Sequence, residues 1–164
     1  MAIRCFDSVC WVALMMKNGD EIGVDAPIKL ATAGLVVWHQ NRLLLAFSKH
    51  KLAWYLPGGK VDEGETALAA LCRECWEELG CRLKPNDVQY YRHISAPAYG
   101  EPKHTVMEQE CFMANWQGYL PQPQAEIGAV RYFSWAEYGQ LAVQVPGVVQ
   151  LYGHLQHDFG LENT

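Results

Sequence analysis

Basic charge is in short supply in this chain of 164 residues: 13 Lys and Arg stand against 18 Asp and Glu, a net of −5. Duplex nucleic acid is held by surfaces that neutralise phosphates, so this balance argues against non-specific binding to it. No apolar run approaches the roughly 20 residues of a membrane-spanning helix, and no membrane partner is expected. The six histidines (39, 50, 93, 104, 154, 157) form neither an HxxxH nor an HExxH pattern. Cys72 and Cys75 are two residues apart, but no second Cys/His pair stands at finger spacing, so core packing is preferred to zinc or thiol-redox chemistry. The six cysteines (5, 10, 72, 75, 81, 111) do not read as a disulfide framework. Residues 9–16 (VCWVALMM) follow Asp7 and lack a clean small-residue cleavage pattern, so no secretory leader is expected. A reducing, cytoplasmic compartment is the expectation. Repeats and low-complexity tracts are absent too.

What is present is concentrated in one stretch, Gly59 to Cys81, reading GKVDEGETALAALCRECWEELGC. Residues 60–78 hold six acids against Lys60 and Arg73, a local net of −4. Glu74, Glu77 and Glu78 fall at i, i+3 and i+4, which on an α-helix stacks three carboxylates about one turn apart. Like charges at that spacing repel, so such a face calls for a counter-ion. On the other side Leu68, Leu71, Cys72, Cys75 and Leu79 make an apolar stripe. Gly80 stands where a C-terminal cap belongs. Oxygen-only ligands suit hard cations, above all Mg²⁺ or Mn²⁺.

The remaining signals alternate between strand and helix. Ala31–Trp38 and Leu43–Phe47 read as a hairpin turned at residues 39–42, and Val88–Ile94, Val106–Asn115 and Val130–Trp135 as further strands. Pro57-Gly58-Gly59 reads as a glycine-rich turn. Residues 136–141 suggest a short helical turn and Pro146–His157 a full helix with Pro at its start. Residues 1–28 read as an extension, either a strand or hairpin or a short helix, ahead of a domain at 29–164. The pattern as a whole is α/β.

Gly59, Glu65 and the run Arg73-Glu74-Cys75-Trp76-Glu77-Glu78-Leu79-Gly80-Cys81 resemble the complete Nudix box. Cys75 and Cys81 fill its two hydrophobic slots, a mild departure, since free cysteine packs as a small hydrophobe. The box covers 23 residues, and the hairpin before it is similar to the family's opening strands. The resemblance implies an α/β/α sandwich with a mixed sheet between helices. It implies a Mg²⁺- or Mn²⁺-dependent pyrophosphohydrolase that cleaves a nucleoside diphosphate linked to another group.

Carried over by position, the resemblance implies Glu77 and Glu78 as principal metal ligands and Glu74 as a further ligand or the general base. A carbonyl of Gly58 or Gly59 matches the backbone ligand, and Arg73 with Glu65 the salt bridge that orients helix and loop. Glu126 is a second candidate for the base, set against its reading as a solvated loop carboxylate. Outside the box, Lys49, Lys51, Lys60, Arg92 and Lys103 are candidates for phosphate contacts. Trp54, Tyr55, Tyr91, Tyr99 and Phe112 are candidates for stacking a nucleobase, and His50 and His104 lie in loops that could meet substrate. Of these, Lys49, Lys51, Lys60, Tyr55 and Tyr99 are the expected substrate contacts. The favoured substrate is a (d)NTP cut to monophosphate and pyrophosphate, because a short chain leaves little room for a second pocket. ADP-ribose, an NDP-sugar or a dinucleoside polyphosphate is the alternative. A nucleotide sensor without turnover is the rival of another class, against which the intact box counts. A homodimer stays open.

Overall fold

The computed structural model describes residues 26–160. The expectations for residues 9–24, and Cys5 and Cys10, lie outside them. The two apolar runs of the hairpin become β1 (Ile28–Val36) and β3 (Arg42–Ser48), with the two-residue β2 (Trp38–His39) between them. β1 from Thr32 on and β3 from Leu43 to Ala46 are buried on both faces, which is why they read as continuous rather than alternating runs. Ala33, Leu35 and Leu44 face one core, together with Leu71 and Cys75 of α1 (Ala67–Leu79). Val36, Leu43 and Leu45 face another, together with Val148, Leu151 and Leu155 of α3 (Pro146–Phe159). The strands therefore lie between the helices, as expected.

The strand layer is two four-stranded sheets rather than one. The first runs β5 (Gly58–Lys60), β1, β7 (Thr105–Ala114), β6 (Val88–Pro97), with β1 and β7 parallel and the other pairs antiparallel. In the second, β3 pairs antiparallel with β2, β4 (Ala53–Tyr55) and β8 (Ile127–Phe133). The chain passes from the second sheet to the first at Leu56-Pro57. Proline has no N–H to extend a ladder, while its carbonyl accepts a hydrogen bond from Leu35 N–H (2.8 Å). The glycine-rich turn expected at 58–59 is thus a short edge strand, pairing Gly58 with Gly34 and Gly59 with Ala33. A short helix, α2 (Trp135–Gly139), links β8 towards α3.

Local chemistry starts and stops α1. Thr66 Oγ1 accepts from Ala69 N–H (3.2 Å), and Gly80 closes the helix in the left-handed region (φ 62°). Thr66→Ala should lower stability by about 1 kcal/mol, seen as a lower urea midpoint with an unchanged slope.

Candidate active site

The three glutamates of α1 do not share one solvent face. Seven residues are two turns less about 20°, so Glu78 lies almost over Leu71 rather than opposite it. Glu78 is accordingly 7% exposed, whereas the Glu77 side chain is 53% exposed. Glu74 lies between them, half-buried. The apolar stripe shifts to match: Ala70, Leu71, Cys75 and Leu79 are buried, and Leu68 and Cys72 sit at its margin. The four cysteines among the described residues are free thiols.

Across from α1 lies β5. Gly58 N–H donates to Glu78 Oε2 (3.1 Å). A Cβ on Gly59 would come within 2.5 Å of the Glu74 carboxyl carbon, so glycine lets that carboxylate lie against the strand. Arg73 ties the corner together. Its Nε and Nη2 donate to the two oxygens of Glu65 (3.0 and 2.9 Å), Nη2 also to the Lys60 carbonyl (3.0 Å), and Nη1 to Glu74 Oε1 (2.7 Å). Glu65 in turn accepts from Asp62 N–H (3.1 Å). Arg73 holds the Glu65 carboxyl below its ordinary range, and Glu65, then Glu74, raise the Arg73 guanidinium further still. The expected salt bridge is a clamp joining helix, acidic loop and β5.

Beside this corner lies a cleft of about 400 Å³. Glu74, Glu78, Gly58 and Gly59 border it on one side, and Glu126, His50, Lys51, Lys60, Tyr55 and Tyr99 come from the other walls. Glu126 is carried by a loop anchored twice: Gln124 N–H donates to the Glu78 carbonyl (2.7 Å), and Lys49 N–H to the Glu126 carbonyl (3.1 Å). Lys49 itself does not line the cleft. Its ammonium donates to the Ala125 carbonyl (2.6 Å), which makes it a strut for the Glu126 loop rather than a contact from the cleft wall. Arg92 is held by Asp158 (2.8 Å) beside α3, and Trp54 packs on Phe133 in the core. Tyr91, Lys103, His104 and Phe112 also lie away from the lining. Arg73, Glu65 and the exposed Glu77 are not part of the lining.

Several cleft residues lie outside the sequence expectations, two of them with long polar side chains. Gln109 is one, and the alternation of β7 would have found it, since Met107, Gln109 and Cys111 share a face. Glu101 is the other. It holds Lys51 and Lys60 from the loop between β6 and β7, a pairing that no local pattern announces.

Burial above all, then repulsion from Glu74, Glu126 and Glu77, pushes the Glu78 pKa up to about 8. Burial also raises Glu74, against the pull of Arg73. Among the described residues no three His, Cys, Asp or Glu side chains stand gathered at metal-ligand spacing. Arg73 engages one oxygen of Glu74, and unscreened carboxylates keep apart. The donor set nevertheless fits a hard divalent cation: oxygen atoms only, with one carboxylate so desolvated that ionising it calls for positive charge.

A family model described as NUDIX domain matches residues 28–153. The chain belongs to the Nudix family. An RNA pyrophosphohydrolase of Francisella tularensis subsp. mediasiatica is 44% identical to it over 50 residues, 30% of this chain and 31% of that protein. The chain spans about a third to a half of the length of the curated relatives it matches. Among solved structures, the MutT protein from Methanosarcina mazei Go1 superposes with a TM-score of 0.63 at 16% identity, covering 80% of this chain and 96% of that one. A bifunctional NMN adenylyltransferase/ADP ribose pyrophosphatase from Francisella tularensis, complexed with AMP and a Mn ion, superposes with a TM-score of 0.61 at 17% identity, covering 80% and 42%. At these identities the likeness is one of fold. The Nudix box of this chain thus spans β5, the acidic loop and α1. No helix among the described residues is long and apolar enough to cross a membrane.

Proposed function

We propose that this Nudix protein hydrolyses the pyrophosphate link of a nucleoside diphosphate carrying a further group, with a nucleoside triphosphate, cut to monophosphate and pyrophosphate, as favoured substrate. The observation that carries this reading is the buried Glu78, beside Glu74, in a cleft whose other walls bring in two lysines and Glu126. Glu74, Glu78 and a carbonyl of Gly58 or Gly59 would hold Mg²⁺ or Mn²⁺, with Glu77 reaching in from the exposed side. A bound divalent cation neutralises phosphate oxygens and makes water acidic enough to attack phosphorus at neutral pH.

The chain's own residues do the rest. Arg73 and Glu65 hold α1 against β5, so that Glu74 and Glu78 keep their spacing. Arg73 engages Glu74, whereas the Glu126 carboxylate meets only His50 among the described residues, at 3.9 Å. Glu126 is therefore the freer group to take the proton of the attacking water. Lys51 and Lys60 bind phosphate oxygens, and Tyr55 and Tyr99 frame the wall where a base would lie.

With Mg²⁺ present, a panel of NTPs, ADP-ribose, NDP-sugars and dinucleoside polyphosphates should show turnover, fastest with an NTP, read as phosphate and pyrophosphate release. Binding across the panel without any hydrolysis would instead make the protein a nucleotide sensor.

A further inference from the structure

Two lysines sharing one carboxylate mark a place made for an anion. Lys51 Nζ stands 2.7 Å from Glu101 Oε1; Lys60 Nζ is 3.3 Å from the same oxygen and 3.4 Å from Oε2. Lys51 follows β3, Lys60 ends β5 and Glu101 sits between β6 and β7, so the fold and not the local chain makes them converge. All three line the cleft that holds Glu74 and Glu78. The Glu101 side chain is only 15% exposed, and its two cations hold its carboxyl below the ordinary range, Lys51 foremost.

One carboxylate against two ammoniums leaves a charge of +1, and Lys60 has the longer, weaker contact. A phosphate, with up to two charges and three acceptor oxygens, matches two converging ammoniums better than a carboxylate does. Glu101 rides on a loop fastened nearby: Tyr55 Oη donates to the Tyr99 carbonyl (3.1 Å), and Gly100, at φ 75°, packs on the Lys51 stem. Lys51 also lies over the Tyr55 ring, 5.3 Å from its centre.

We propose that Glu101 is the built-in occupant of an anion subsite formed by Lys51 and Lys60, and that a phosphate of the substrate enters by displacing it. This rests on the pyrophosphohydrolase reading of the cleft. Displacement lowers the apparent affinity for every ligand that must evict Glu101. A group with only one diffuse charge, or none, gains too little from the lysines to do so, which favours substrates with a terminal phosphate over those ending in a sugar.

Titration calorimetry with inorganic pyrophosphate in EDTA reads the subsite without turnover. Glu101→Gln should bind pyrophosphate roughly threefold to tenfold tighter than the unaltered chain. Adding Lys51→Met or Lys60→Met to Glu101→Gln should erase that gain. Glu101→Asp, whose shorter arm withdraws from Lys60, should fall between, and it serves should the Gln variant fold poorly. Pyrophosphate affinity that is unchanged or weaker in Glu101→Gln and Glu101→Asp overturns the proposal, as does an absence of pyrophosphate binding in every form. A lack of hydrolysis across the substrate panel, with the pyrophosphate pattern intact, would sink the enzymatic reading and leave the subsite standing.

Discussion

Replacing Glu78 with Gln should lower Mg²⁺-dependent hydrolysis by on the order of 10²- to 10³-fold, yet leave the metal-free protein more stable at pH 8 than the unaltered chain. Both effects come from one carboxyl held beside α1 and β5. Its pKa rises from 4.5 to about 8 on folding, mainly because burial strips it of water. A carboxyl so raised binds its proton more tightly in the folded state than in the unfolded one. Below pH 4.5 both states are protonated and the group contributes nothing to pH dependence. Between 4.5 and about 8 the folded state loses stability as pH rises, and above 8 the whole penalty stands. That penalty is on the order of 3 to 5 kcal/mol. Gln keeps the size and drops the charge. In EDTA, the thermal midpoint of the unaltered chain should fall between pH 5 and 8 while that of the variant stays nearly level, the gap at pH 8 reaching roughly 10 °C. Mg²⁺ should raise the midpoint of the unaltered chain and do little for the variant. Undiminished hydrolysis by Glu78→Gln would refute the proposed role, and parallel pH curves in EDTA would refute the burial argument.

Gly58→Ala should be the most destabilising single-methyl change in the cleft. Gly58 has φ 128°, a region closed to L side chains, and a Cβ there would land on the Ala33 carbonyl oxygen. That oxygen belongs to the backbone of β1, so no side chain can swing aside. Relief requires β5 to leave β1, and with it goes the N–H that Glu78 accepts. The strain and the clash together should cost about 3 to 5 kcal/mol, and hydrolysis should be lost with the strand pairing. Gly64→Ala is the control. Gly64 also has a positive φ (78°) but nothing within 4 Å of a Cβ, so only the conformational penalty of about 1 kcal/mol applies. Urea unfolding of the pair separates the two, and equal midpoints would show that β5 yields without difficulty.

The two changes also show which parts of the chain spoke plainly as sequence. Helix α1 was legible in its apolar stripe, its acidic residues and its Gly80 C-cap, because periodicity and capping are settled within a few residues of chain. The burial of Glu78 was available too, through its seven-residue offset from Leu71, but the three glutamates taken together masked it. The strand at Gly58–Lys60 was not available. Glycine carries no strand signal, and β5 exists because Ala33 and Gly34 lie beside it in the fold.

Residue order alone therefore gave the crowding of acids on α1 that motivates the proposed cation, the box resemblance that pairs Arg73 with Glu65, and the α/β alternation around it, since each depends on spacings of fewer than about ten residues or on a repeat of apolar runs. The parallel pairing of β1 with β7, the split into two sheets, the retreat of Lys49 to a loop strut and the meeting of Lys51 and Lys60 at Glu101 came from tertiary structure. In each case the partners lie far apart along the chain, and the closing of the sheets and core, rather than any local preference, brings them within reach.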